Sequence, residues 1–166
     1  ASGRKDVGRA MKRLHILLPK DRTKPGWFHL YGHDGEHLQG GQVLGKADNE
    51  RAVKEGNPNR SPILPYGDSP AGRFKLTRVR DVPPEKHGKI GVRWLPLEGA
   101  AGDALTAVEL RTGLGLHAGR EDDKRTQRGE LVPTNGCLRI LPRAASMLWP
   151  NIGNDAVLVT VEELDA

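Results

Sequence analysis

Apolar and polar residues alternate through most of this chain. The runs RLHILLP (13–19), WFHLYG (27–32) and HLQGGQVLG (37–45) put an apolar side chain at about every second position, the period of a strand with one face buried. Between the second and third runs, Gly32-His33-Asp34-Gly35 reads as a hairpin turn. FKLTRVRDV (74–82), KIGVRWLPL (89–97), ALTAVELRT (104–112) and LGLHAG (114–119) continue the series as strands, and AVLVTVEEL (156–164) closes it. Helical spacing is scarce. The best helix is PRAASMLWPNI (142–152), with Pro142 near its first turn and Pro150 ending it. Residues 47–68 are polar, carry three prolines and read as a long surface loop with one helical turn at 48–55. The pattern predicts one mostly β domain over residues 13–166, with a short helix near its C-terminus and a tail at residues 1–12.

Length and composition narrow this further. A chain of 166 residues with 36% hydrophobic side chains can bury a core of its own, and 21 Gly with 12 Pro suit many turns and short strands. No apolar run is long enough for a transmembrane helix. The start, ASGRKDVGRAMKR, has charge with no hydrophobic stretch behind it, so no signal peptide is visible. The net charge of +5 suits a polyanionic partner. The cations are scattered, however, and two Phe, three Trp and two Tyr are too few for a stacking platform, which argues against nucleic acid.

The only cysteine, Cys137, sits in LVPTNGCLRI (131–140) and cannot close an internal disulfide. It is either a small buried hydrophobe or a reactive thiol. Gly136 lets the backbone turn sharply before it. His117 lies twenty positions upstream at the end of an apolar run, and Arg139 shares the cysteine's face if that segment is extended. A thiol needs a base or a cation nearby to ionise near neutral pH, and backbone N–H groups at a Gly-Cys turn can serve an oxyanion. The residues by themselves leave both readings of Cys137 open. The order His then Cys argues against papain-like cysteine proteases, and the separation is too short for the usual two-barrel ones.

His117, a sixteen-residue spacer (118–133), and then Thr134-Asn135-Gly136-Cys137-Leu138-Arg139 resemble the signature of the L,D-transpeptidase (YkuD) family. Asp68-Ser69-Pro70-Ala71-Gly72-Arg73-Phe74 is similar to that family's T-P-x-G-x-F/Y strand, and Pro142 to Trp149 with AVLVTV resemble its closing helix and strand. The resemblance spans residues 13 to 162. It implies a β-rich sandwich and an enzyme acting on peptidoglycan stem peptides. By that resemblance Cys137 is the nucleophile, forming a thioester, and His117 is the base that deprotonates it and later protonates the leaving amine. A carbonyl beside the histidine, that of Ala118 or its neighbour, would orient the ring, with Glu121 and Asp122 as competitors. Gly136 and Cys137 N–H groups would form the oxyanion hole, and Thr134, in the same turn, would bind the oxyanion or the substrate. Arg139 would bind a substrate carboxylate or brace the loop, and Arg120 is a second candidate for that role. Asn135 stands where the family usually has His; it can donate a hydrogen bond but cannot titrate.

No cofactor and no metal are expected. His29, His33 and His37 have i, i+4, i+8 spacing, but in a Gly-rich hairpin that spacing is not expected to bring them together, and His15 and His87 read as structural or surface residues. Tyr66 reads as a packing or turn residue, with a place in a cleft as the other reading. The expected activity is transfer of the acyl group to an amine. The alternatives are a hydrolase of the same fold (L,D-carboxypeptidase, endopeptidase or secreted wall-degrading effector) and a non-catalytic cell-wall-binding module. The loop at 47–68 and the charged segment 121–130 are candidate lids over the acceptor side. The expected partners are stem peptides and, by acylation, carbapenem β-lactams. The expected state is a monomer outside the cytoplasmic membrane, inferred from the substrate.

Overall fold

A computed structural model describes residues 11–165 of the chain. The tail expected at residues 1–12 therefore lies outside the described residues except for its last two, and Lys12 already belongs to the first strand. Among the described residues ten strands form two sheets. β1 (Lys12–Pro19), β2 (Gly26–Tyr31) and β3 (His37–Val43) make an antiparallel meander. After it come α1 (Asn49–Lys54), β4 (Gly72–Phe74), β5 (Arg80–Asp81), a 3-10 turn at Pro84–Lys86 and α2 (His87–Ile90). β6 (Arg93–Pro96), β7 (Gly99–Ala101), α3 (Asp103–Ala107), β8 (Gly115–His117), α4 (Lys124–Gln127) and β9 (Leu138–Arg139) follow. The chain closes with α5 (Pro142–Ile152) and β10 (Val157–Leu164).

The larger sheet runs β3-β2-β1-β10-β4-β7 and the smaller β5-β6-β8-β9. In β1 the alternation read from the sequence is the burial pattern: Leu14, Ile16 and Leu18 are fully buried, while Arg13 faces solvent. Burying each such side chain contributes about 1.5–3 kcal/mol. β10 lies parallel to β1 from Lys12 opposite Val157 to Pro19 opposite Leu164, so the two ends of the domain are stitched side by side. Leu14, Ile16, Phe28 and Val159 of the larger sheet share one core with Leu95, Leu116 and Leu138 of the smaller. α5 adds Ala145, Leu148, Trp149 and Ile152, an i, i+3, i+4, i+7 stripe, to the same core. Among the described residues no helix is long and apolar enough to cross a membrane.

Four expectations fail locally. ALTAVELRT is not a strand. Its first half is α3, with Ala104 and Ala107 buried one helical step apart, while Leu105 and Leu110 face outward. The run 74–82 splits into β4 and β5, because Thr77 turns aside to bridge Val157. Only Arg93–Pro96 of the run 89–97 is extended, with α2 ending at Gly91 in the left-handed region (φ 92°). Pro150 does not end α5, which runs on to Ile152 and stops at Gly153 (φ 66°).

The loop 47–68 is more built than its polarity suggests. Asp48 caps α1 by accepting from Arg51 N–H, Asn57 is buried with its side chain bonded to Ser61 and Pro65, and Asp68 accepts from Ala47 N–H at 2.8 Å. In the segment 121–130, Asp123 caps α4. The hairpin turn at 32–35 closes with Gly35 N–H donating to Gly32 O at 3.0 Å.

Candidate active site

β8 and β9 are parallel neighbours, with Leu116 opposite Leu138 and His117 opposite Arg139. Leu116 and Leu138 both point into the core. The pleat therefore turns Gly115 and His117 of β8, and Cys137 and Arg139 beside them, to the other face of the pair. Cys137 and His117 are diagonal neighbours on that face. This parallel pairing could not be read from sequence, since both segments are too short to show a period.

The turn before Cys137 is held from several sides. Thr134 Oγ1 accepts from Gly136 N–H at 2.9 Å and donates to the Cys137 carbonyl at 2.7 Å. Ser69 Oγ donates to the Gly136 carbonyl at 2.7 Å. On the outer side, Leu44 and Arg139 exchange two backbone hydrogen bonds of 2.9 Å, and Ala47 bridges Thr134. Gly136 has φ 118°, and a Cβ there would fall 1.8 Å from Arg111 Nη2 and 2.5 Å from Gly67 O. Only glycine fits.

These contacts correct two expectations. The Gly136 N–H is engaged by Thr134 and is not a free oxyanion donor, whereas Cys137 N–H has no acceptor among the described residues. Thr134 builds the turn rather than facing a substrate.

Cys137 is half-buried, and its Sγ points to Gly113 O at 3.4 Å. Burial pushes its thiol above the ordinary value, and the nearby Gly115 backbone and the charges of Arg111 and Arg139 oppose that rise. His117 is buried, with Nδ1 2.9 Å from Ala118 O. A carbonyl only accepts, so Nδ1 carries the proton and Nε2 is left as the basic nitrogen. Desolvation lowers the His117 pKa to about 4, the Ala118 bond working against it and the Arg139 charge with it. Above that pH the imidazole is neutral, the form a base needs. Glu121 and Asp122 are exposed and do not hold the ring.

Arg139 is buried. It donates from Nε to Val132 O at 2.9 Å and from Nη1 to Lys89 O at 3.3 Å and to Ala118 O. Burial lowers its pKa to about 10. Of the two roles expected for it, bracing is the one the contacts describe. Arg120 is exposed, with left-handed backbone (φ 60°) and its N–H on Gly88 O at 2.7 Å.

A cavity of about 300 Å³ opens beside Cys137, lined by Pro65, Tyr66, Arg111, Thr112, Gly113 and Asn135 among others. Asn135 is exposed at its rim. Tyr66 does line this cleft, held at φ 62° with Arg51 5.0 Å over its ring. Past Gly113 and Leu114 a groove of about 450 Å³ continues along Lys75, Arg78, Arg80 and Trp94. Arg111 and Ser69 were missed in the sequence. Neither belongs to the Cys–His motif, and only Ser69 falls in a recognisable element.

His29 and His37 are the other correction. Cross-strand pairing puts His29 Nδ1 3.0 Å from His37 Nε2, because β3 folds back on β2 and Gly40 leaves room beside both rings. His33 is elsewhere, 3.2 Å from Asp155. Among the described residues no three His, Cys, Asp or Glu side chains are grouped as metal ligands.

The architecture has precedents among solved structures. The chain folds like Pgp2. The match to this helical cell shape determining protein of Campylobacter jejuni has TM-score 0.54 at 15% identity, over 95% of this chain and 50% of that one. A point mutant of Pgp2 matches at TM-score 0.55 and 13% identity, over 98% and 53%. Bd1075 of Bdellovibrio bacteriovorus matches at 0.57 and 13%, over 92% and 48%. The chain thus spans about half the length of these proteins. No family model matches the sequence, and comparison with curated proteins gives no match.

Proposed function

We propose that this domain is a cysteine acyltransferase of the cell wall, an L,D-transpeptidase acting on peptidoglycan stem peptides outside the cytoplasmic membrane. One observation carries the reading: a half-buried thiol follows a locked glycine turn, diagonal to a neutral histidine whose Nδ1 is already bonded and whose Nε2 is basic. The motif resemblance and the likeness to a cell shape determining protein support a wall substrate. The cations along the adjoining groove suit a donor rich in carboxylates.

In this reading the thiol leaves Gly113 O and gives its proton to His117 Nε2. The thiolate attacks the carbonyl that joins the third stem residue to the terminal D-residue, and Cys137 N–H faces the developing oxyanion. The C–N bond breaks, the departing amine takes the proton from His117, and a thioester remains. An amine acceptor then gives up a proton to His117 and replaces sulfur. The thiolate leaves and is reprotonated.

Incubation with a stem tetrapeptide, with and without an amine acceptor, tests the assignment by product mass. Transpeptidation predicts a cross-linked product that needs both the acceptor and Cys137. Release of the terminal residue alone, unaffected by acceptor, would make the domain a hydrolase of the same fold. No turnover with any stem peptide would leave a wall-binding module.

A further inference from the structure

Arg111 is a buried cation whose hydrogen bonds all go to backbone carbonyls; the one buried carboxylate whose charge reaches it, Asp68, is not bonded to it. Nη1 donates to Pro62 O at 2.6 Å and Asp68 O at 2.8 Å, and Nη2 to Gly67 O at 3.0 Å. These are neutral carbonyls. The Asp68 carboxylate is turned to Ala47 N–H and to Arg60, 3.1 Å away. Two N–H groups of the guanidinium, Nε–H and one on Nη2, have no acceptor among the described residues. A buried charge whose neighbouring carboxylate is already shared with another arginine is costly, which makes its persistence informative.

The site supplies one group able to become a counter-charge to it. Arg111 Nη2 packs against Gly136, the residue before the nucleophile, and Arg111 and Cys137 line the same cavity. His117 cannot supply the positive charge near neutral pH, since burial keeps it neutral; Arg139 also favours the thiolate, but it is Arg111 that lines the cavity with Cys137 and has the larger influence on it. Each of Arg111 and Cys137 favours the other's charged form, against the burial that opposes both.

We propose that Arg111 is the counter-cation of the Cys137 thiolate, a positioning residue that holds the ionised nucleophile beside the cavity while His117 handles the proton. The proposal rests on Cys137 being the nucleophile of the function proposed above. It also explains why position 136 needs glycine: a Cβ would displace the guanidinium from behind the thiol.

The test is the pH dependence of Cys137 alkylation by iodoacetamide, followed by intact mass, in wild type, Arg111→Gln and Arg111→Lys. The expected result is an ionisation midpoint raised by about one pH unit in Arg111→Gln, or about tenfold slower alkylation below the midpoint, with most of the shift rescued in Arg111→Lys. A folded Arg111→Gln protein with the wild-type profile would overturn the proposal and leave Arg111 a strut for residues 62–68. If Arg111→Gln does not fold, the wild type still decides. Anionic iodoacetate should react faster relative to iodoacetamide than it does with free cysteine, and a ratio at or below that of free cysteine overturns the proposal. Alkylation requires no peptidoglycan chemistry, so a shifted profile without turnover would sink the transpeptidase reading alone.

Discussion

His117 and Arg139 face one another across the parallel β8–β9 pair and donate to the same oxygen, the carbonyl of Ala118. The base and the buried cation are therefore one unit. Arg139 fixes the carbonyl, and the carbonyl fixes the tautomer and direction of the ring.

Arg139→Met should be costly to stability as well as activity. It strips donors from the carbonyls of Val132, Lys89 and Ala118, and unsatisfied buried groups cost about 1–3 kcal/mol each. Urea denaturation should show a loss of about 3 kcal/mol or more, with acylation slowed in whatever remains folded. A loss below about 1 kcal/mol would mean that these bonds do not brace the site.

Thr134→Val removes the hydroxyl that accepts from Gly136 N–H and donates to Cys137 O, while keeping the volume. Acylation should fall by about tenfold or more, with a stability loss of about 1–3 kcal/mol, and Thr134→Ser should restore most of both. Stopped-flow acylation and thermal melts of the two variants check this. Equal damage in Thr134→Ser would shift the weight to the methyl group.

His117 predicts a pH signature. Its folded pKa of about 4 lies below the ordinary 6.5, so the folded state binds fewer protons. Stability is full above pH 6.5 and declines as the pH falls through 4, by about 3 kcal/mol from this group. In His117→Gln that part of the acid-side slope should vanish in urea melts between pH 7 and 4. An unchanged slope would mean that His117 titrates normally. By the same reasoning, turnover in the wild type should persist at pH 5, where an ordinary histidine would be protonated.

Asn135 is exposed at the cavity rim and takes no part in the bonds that lock the turn. Asn135→His should therefore keep the acylation rate within about threefold. A dead variant, assayed alongside its melting temperature, would show that the rim is more closely fitted than its exposure implies.

Long elements were legible and short ones were not. β1, β2, β10 and α5 run far enough for a period to show, and they sit where the alternation put them. β8 and β9 have three and two residues, and their pairing depends on Leu44 and Leu116 flanking Leu138–Arg139, a tertiary fact. ALTAVELRT misled because small Ala residues bury at helical spacing inside an apparent alternation. At the site, the motif pointed to Cys137, His117 and the carbonyl of Ala118. It was silent on Arg111 and assigned Gly136 N–H to an oxyanion when Thr134 already holds it. The pairing of His29 with His37 is hidden for a similar reason: the hairpin is legible, but the cross-strand register that brings the two rings together is a tertiary fact.

The most direct test of the nucleophile is intact-mass analysis after incubation with a carbapenem, on wild type and Cys137→Ala. One covalent adduct per chain is expected in the wild type, absent in Cys137→Ala and much slower in His117→Gln. An adduct that survives in Cys137→Ala, or none in a folded wild-type protein with either a carbapenem or a stem tetrapeptide, would contradict Cys137 as the nucleophile.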